Sequence, residues 1–177
     1  MLMHHLERDF LDRDSCAALI AVIDQRAFTP AGVHRDGIKY VDESVRRARA
    51  GHVPAELRVA LERRWLSLGQ QLASRFGCAV PSTTDSHAVH YRTGDFFAPH
   101  SDQNQALIPE RAGPRVLSLV VFLNDDFSGG ILKLYDGPEC VAIPATAGTL
   151  VMFRSDVLHE VSPIMRGERY TLVSWLY

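Results

Sequence analysis

The sequence predicts an α+β fold in which an N-terminal helical part supports a C-terminal β core. Three observations carry that prediction. Between residues 12 and 77, apolar side chains recur at helical spacing in two separate stretches. After Pro81 the texture changes to short apolar runs broken by Gly, Pro, Asn and Asp. Helices first and strands after fit a segregated arrangement better than an alternating one built on a parallel sheet.

At 177 residues the length suits one domain (1–177), with 1–80 as support and 81–177 as core. Hydrophobic residues make up 46% and charged residues 23%, enough apolar surface for a core without disulfides or a structural metal. A formal charge of −2 argues against a chain whose main task is gripping nucleic acid or an anionic membrane. Cys16, Cys78 and Cys140 lie too far apart for a zinc spacing and make no disulfide framework, so a reducing compartment is expected. The N-terminus has no apolar targeting segment, and no 18-residue apolar run occurs. The expectation is a soluble cytoplasmic protein with neither nucleic-acid nor membrane partners.

Residues 6–11 read as a short strand. Asp12 or Asp14 then caps a helix reaching about Arg26, with Cys16, Leu19, Ile20 and Ile23 on one stripe. From Phe28 to Asp42, Pro, Gly and mixed polarity predict a strand–loop–strand excursion, continued by a basic cluster of Arg46, Arg47 and Arg49. That cluster reads either as a solvated face or as a loop that contacts substrate. Pro54 suits a first helical turn. Leu57, Leu61, Trp65, Leu68 and Leu72 continue it as an amphipathic helix that stops at Gly77, with Trp65 in the core. Candidate strands follow at 86–91, 116–123, 131–135, 149–153, 159–161 and 170–176. Their close spacing and turn signals predict antiparallel pairing, and several are apolar on both faces.

His100 and Asp102 are two apart, so on an extended strand their side chains leave the same face. An imidazole beside a carboxylate supplies two ligands of a facial metal site, and His159 would be the third. Alone, the His-x-Asp pair fits a surface turn equally well. Strand alternation groups His87 with Val89 and Tyr91 and puts His90 on the other face, where an ordinary half-buried role serves for each.

The surroundings of the pair are more specific. Tyr91, Gly94 and Pro99 precede it, and Arg115 leads an apolar run through Phe122 to Asn124. Gly129-Gly130, Pro144, Gly148, Phe153, His159, Gly167, Arg169 and Trp175 follow in order. This pattern, over about residues 86–177, resembles the Fe(II)- and 2-oxoglutarate-dependent dioxygenases. Within them it is most similar to the prolyl-hydroxylase-like branch, the type of the prolyl 4-hydroxylase α-subunit catalytic domain.

The resemblance sharpens the fold to a double-stranded β-helix, or jelly roll, backed by N-terminal helices. It implies Fe(II), 2-oxoglutarate and dioxygen as cofactors, with ascorbate as an optional addition, and His100, Asp102 and His159 as metal ligands. Arg169 would hold the distal carboxylate of 2-oxoglutarate, since a buried carboxylate is costly unless a guanidinium fork meets it. Tyr91 would be a second donor to that co-substrate, and Arg115 and Trp175 would contact substrate. Residues 28–49 would lie over the mouth as a lid.

The activity implied is hydroxylation of a prolyl residue in a protein or peptide as 2-oxoglutarate is decarboxylated to succinate. The alternatives are a hydroxylase of a free amino acid or small metabolite, and a non-catalytic metal-binding jelly-roll sensor. Intact His100, Asp102, His159 and Arg169 speak against the sensor, which needs no open, anion-matched site. Asp102 also sets the chain apart from halogenating relatives, which lack the carboxylate ligand. Phe122 departs from the oxygen-sensing members, which have a tyrosine there, so Tyr91 or a water must complete the pocket.

Overall fold

The computed structural model describes residues 3–25, 28–35, 38–103 and 113–177. In chain order the elements are β1 (His4–Glu7), α1 (Arg13–Asp24), β2 (Thr29–Pro30), β3 (Val33–Arg35), β4 (Ile38–Tyr40), β5 (Arg46–Arg47) and β6 (Arg49–Gly51). Then come α2 (Ala55–Phe76), β7 (Thr84–Tyr91), β8 (Phe96–His100), β9 (Leu117–Phe122), β10 (Ser128–Gly129) and β11 (Leu132–Asp136). The chain ends with β12 (Glu139–Ile143), β13 (Leu150–Arg154), β14 (Leu158–Val161), β15 (Ile164–Arg166) and β16 (Arg169–Leu176).

Two antiparallel sheets face each other as a jelly roll. The larger has the order β1-β13-β9-β16-β7-β6-β2, and the smaller β12-β11-β14-β8-β5. Side chains at 118, 120, 122, 171 and 173 point from the larger sheet toward 132, 134, 159 and 161 of the smaller, as the pairing registers require. The alternate positions of the larger sheet, among them Leu117, Leu119, Val121, Leu172 and Leu176, meet Cys16, Leu19 and Ile23 of α1 and Leu61, Trp65, Leu72 and Phe76 of α2. With one face on the interior and the other on helices, β9 is buried at every residue.

The predicted capping holds at both helices. Asp12 accepts a 2.7 Å bond from the Ser15 N–H at the start of α1. Gly77 ends α2 at φ 64°, where a side chain would be strained. Pro54 stands one position outside the helix as its N-cap. Trp65 is fully packed in the core, whereas Leu57 is partly exposed.

Some boundaries differ from the sequence reading. The first strand lies at His4–Glu7, where it pairs with β13, because Asp9 at φ 54° turns the chain away before Phe10 and Leu11. The helix after it ends at Asp24, and Arg26 lies outside the described residues. β12 was not predicted, since Glu139 and Cys140 are exposed and no apolar alternation marks it.

The segment read as a lid is largely stitched into the body. β2 and β6 extend the larger sheet beside β7, and β5 pairs with β8 of the smaller. The hairpin of β3 and β4 is hydrogen-bonded into neither sheet, but Val33 and Tyr40 pack into a cluster with Val89, Tyr91 and Phe97; residues 36 and 37 between the strands lie outside the described residues.

Candidate active site

His100 closes β8, and Asp102 follows it in a bend rather than on the same strand. The bend is fixed by the Ser155 carbonyl, which accepts from the N–H groups of both Asp102 and Gln103 at 2.9 Å. The pair therefore converges by a different geometry from the extended one expected. His159, on β14, is the direct cross-strand partner of His100. Asp102 Oδ1 lies 3.7 Å from His100 Nε2, and Oδ2 lies 3.5 Å from His159 Nε2.

Each ring is held from behind. Nδ1 of His100 donates to the Ala98 carbonyl at 2.8 Å, and Nδ1 of His159 to the Val157 carbonyl at 2.9 Å. A carbonyl only accepts, so both Nδ1 atoms carry a proton and both Nε2 atoms turn toward Asp102. Burial and the neighbouring His159 push the His100 ring down to about 3, so it stays neutral. Burial would raise the Asp102 carboxyl, but His159, His100, Arg115 and the Ser118 hydroxyl together hold it near 2. One ligand atom from each residue falls in a cluster within 4.8 Å. Two imidazoles and one carboxylate on a single side fit a divalent ion bound facially, with the other side open.

The same cavity is lined by Arg169, at the start of β16 and opposite Tyr91 in the pairing with β7. It is 1% exposed. Its guanidinium carbon lies 5.1 Å from the Tyr91 ring and 5.3 Å from the Phe122 ring, so it is held between aromatic faces. Its Nε has no hydrogen-bond partner, and no carboxylate among the described residues pairs with it. Burial lowers it to about 10, still charged at neutral pH. A buried cation with nothing opposite fits an anionic ligand. Phe122 thus packs against the arginine and leaves the donor role to others.

Arg115 is buried, not displayed at the rim. Its guanidinium carbon stacks 3.8 Å over the Trp175 ring, and Nε donates to the Tyr177 hydroxyl at 3.0 Å. Trp175 lines the cavity, and its Nε1 is buried without a protein partner. His87 meets Trp175 edge-on at 5.1 Å. His90 lies on the opposite face, stacked on Tyr170 at 4.3 Å and 3.2 Å from Glu168.

Sequence reasoning overlooked several neighbours. Ser118 donates to Asp102 at 2.7 Å and bonds Ser155 at 2.9 Å. Its signal was available, a lone hydroxyl inside the apolar run of β9. Arg46 and Phe97 also line the cavity, and nothing in the spacing distinguished Arg46 from the other arginines beside it.

The fold is a jelly roll, and its cavity groups two histidines and one carboxylate that could hold a metal ion. The chain belongs to the 2OG-Fe(II) oxygenase superfamily, whose family model matches residues 86–177. A PKHD-type hydroxylase of Maricaulis maris is 32% identical over 84% of the chain. The chain spans 64% of that relative's length and 39% of several other PKHD-type hydroxylases. Among solved structures, a prolyl-4-hydroxylase of Pseudomonas putida is 25% identical with a TM-score of 0.72, covering 98% of this chain and 91% of that one. A Trichoplax adhaerens prolyl hydroxylase in complex with a hypoxia inducible factor peptide fragment shares the fold at a TM-score of 0.78 and 21% identity, covering 98% of this chain and 83% of that one. Among the described residues, no helix is long and apolar enough to cross a membrane.

Proposed function

We propose that the protein is an Fe(II)- and 2-oxoglutarate-dependent oxygenase that hydroxylates a prolyl residue of a protein or peptide. The observation that carries this reading is the pairing, in one cavity, of the His100–Asp102–His159 triad with a buried Arg169 that has no anion of its own. The prolyl-4-hydroxylase among its structural neighbours and the PKHD-type hydroxylases among its relatives support the choice of substrate.

When bound, iron with 2-oxoglutarate and dioxygen supplies the oxidising power to put one oxygen atom into a C–H bond, as 2-oxoglutarate loses carbon dioxide to become succinate. The chain's residues position and protect. His100, Asp102 and His159 hold the metal from one side, and the carbonyls behind the two rings keep Nε2 aimed at it. Ser118 orients the carboxylate. Arg169 meets the distal carboxylate of the co-substrate as a fork, with Tyr91 beside it. Phe97, Phe122, Leu132 and Phe153 form an apolar wall that keeps water from the reacting centre. Trp175 lines the cavity where substrate would sit, and Arg115 acts on substrate through the indole it stacks on. Ascorbate as an auxiliary reductant and a cytoplasmic location belong to the same reading.

The test is to supply Fe(II), 2-oxoglutarate and proline-containing peptides, follow succinate and oxygen uptake, and look by mass spectrometry for one added oxygen on proline. Succinate formed with oxygen gained only by a free amino acid or metabolite would replace the prolyl substrate. No succinate under any condition would sink the oxygenase.

A further inference from the structure

Arg46 is a cation in the site for which the proposed reaction has no use. It stands on β5 opposite Phe97, and its side chain lines the same cavity as His100 and Asp102. The guanidinium carbon sits 4.4 Å from the centre of the Phe97 ring, which stacks on the His100 imidazole at 3.5 Å. One Nη donates to the Gly32 carbonyl at 3.1 Å, while Nε is buried without a partner. No carboxylate among the described residues pairs with Arg46, and the same holds for Arg115.

Charge balance makes these two cations informative. In the proposed complex, the divalent metal, the doubly charged 2-oxoglutarate, Asp102 and Arg169 cancel. Arg46 and Arg115 are left over, Arg46 half-buried in the cavity wall against Phe97 and Arg115 buried behind Trp175. A substrate that covers Arg46 would take its guanidinium out of water, and that is favourable only if the substrate brings an acceptor for it, best of all an anion. Arg115 is committed to Trp175 and Tyr177 through its face and its Nε. Arg46 packs one face on Phe97 and spends one nitrogen on a backbone carbonyl, which leaves fork positions for a further acceptor.

We propose that Arg46 is a substrate-recognition residue that binds a carboxylate of the molecule being oxidised. This inference rests on the oxygenase reading and narrows its substrates to acids. The α-carboxylate of a free amino acid and the terminal or side-chain carboxylate of a peptide are the same chemistry to a guanidinium, and the probes below separate them.

The probes come as pairs that differ only in the carboxylate: N-acetyl-proline and its amide, free proline and its amide, and a proline peptide carrying aspartate or asparagine. Binding is measured by calorimetry on the full chain loaded with Zn(II) and 2-oxoglutarate. At least one acid should bind about 10–100-fold more tightly than its neutral partner, the range for a charge-assisted hydrogen bond. Arg46→Gln keeps a donor for Gly32 and should bring that ratio near one, while Zn(II) and 2-oxoglutarate bind as in the parent. The pair with the largest ratio identifies the source of the carboxylate. An arginine that only braces β5 would shift the melting temperature and weaken both members of a pair alike. Equal binding of acid and amide by the parent overturns the proposal. So does a ratio that survives in Arg46→Gln, or failure of every acid to bind. Loss of the oxygenase reading would show separately, as absent succinate in the Fe(II)-loaded protein.

Discussion

Ser118 Oγ donates a 2.7 Å hydrogen bond to Asp102 Oδ2 from within a strand whose other residues are apolar. A hydroxyl in that setting needs a partner, and the carboxylate needs orienting, so each explains the other. Ser118→Ala should weaken metal binding about tenfold, the lower end of losses seen when such supporting partners are removed. Competition against a chelator measures it. Unchanged affinity would mean the bond does nothing for the metal.

Asp102→Ala should have a larger effect, because the metal loses its only charged protein ligand. Metal binding and substrate-dependent turnover should both fall below detection or nearly so. A variant that binds Fe(II) and turns over like the parent would refute the triad.

Arg169 should show opposite effects on stability with and without ligand. Its folded value of about 10 lies below an arginine's ordinary range, so below pH 10 the folded state carries the full burden of a buried charge. Arg169→Met should therefore stabilise the ligand-free fold by about 1–3 kcal/mol, as replacing buried charges with apolar groups often does. The same variant should lose the stabilisation that saturating 2-oxoglutarate gives the parent, about 2.7 kcal/mol at a hundredfold excess over Kd. Thermal melts with Mn(II), with and without 2-oxoglutarate, read both effects. A destabilised variant that still responds to the co-substrate would contradict them.

Much of this was legible in the sequence, and the parts that were not have physical reasons. Trp65 and Gly77 were readable because a helical stripe and an αL stop are local. His159 and Arg169 were readable only through the order of residues around them, since they reach the cavity from β14 and β16, far along the chain from His100. The position of Asp102 was only half legible. Spacing put it beside His100, but the bend that aims it depends on Ser155, far along the chain. Arg46 was hidden for the same reason. Its neighbours in sequence are arginines, and the Phe97 ring that singles it out comes from another strand.

His90 bears on the acid limb of stability. Burial lowers its pKa against the opposing pull of Glu168, with Arg92 and Arg49 adding to the lowering. The unfolded chain then takes up a proton below its ordinary value of 6.5 while the folded protein resists it. Stability should be full above that pH and fall below it, by at most about 1.4 kcal/mol per pH unit for this one group. His90→Phe keeps the stack on Tyr170 and should flatten that slope between about pH 6.5 and 5. Denaturant midpoints across this range measure it, and an unaltered slope would place the titration elsewhere.

Arg115 separates the coupled reaction from the uncoupled one. Its side chain touches Trp175 and Tyr177 rather than the metal ligands, although its charge helps hold Asp102 ionised. Arg115→Ala should cut substrate-dependent turnover about tenfold or more, while slow decarboxylation of 2-oxoglutarate without substrate falls much less. Arg115→Lys keeps the charge near Asp102 but lacks a planar group to stack on the indole, so it should restore the uncoupled rate and not the coupled one. Succinate formed per oxidised substrate distinguishes these cases. If Ala and Lys variants lose both rates in equal proportion, Arg115 serves the metal centre and not the substrate.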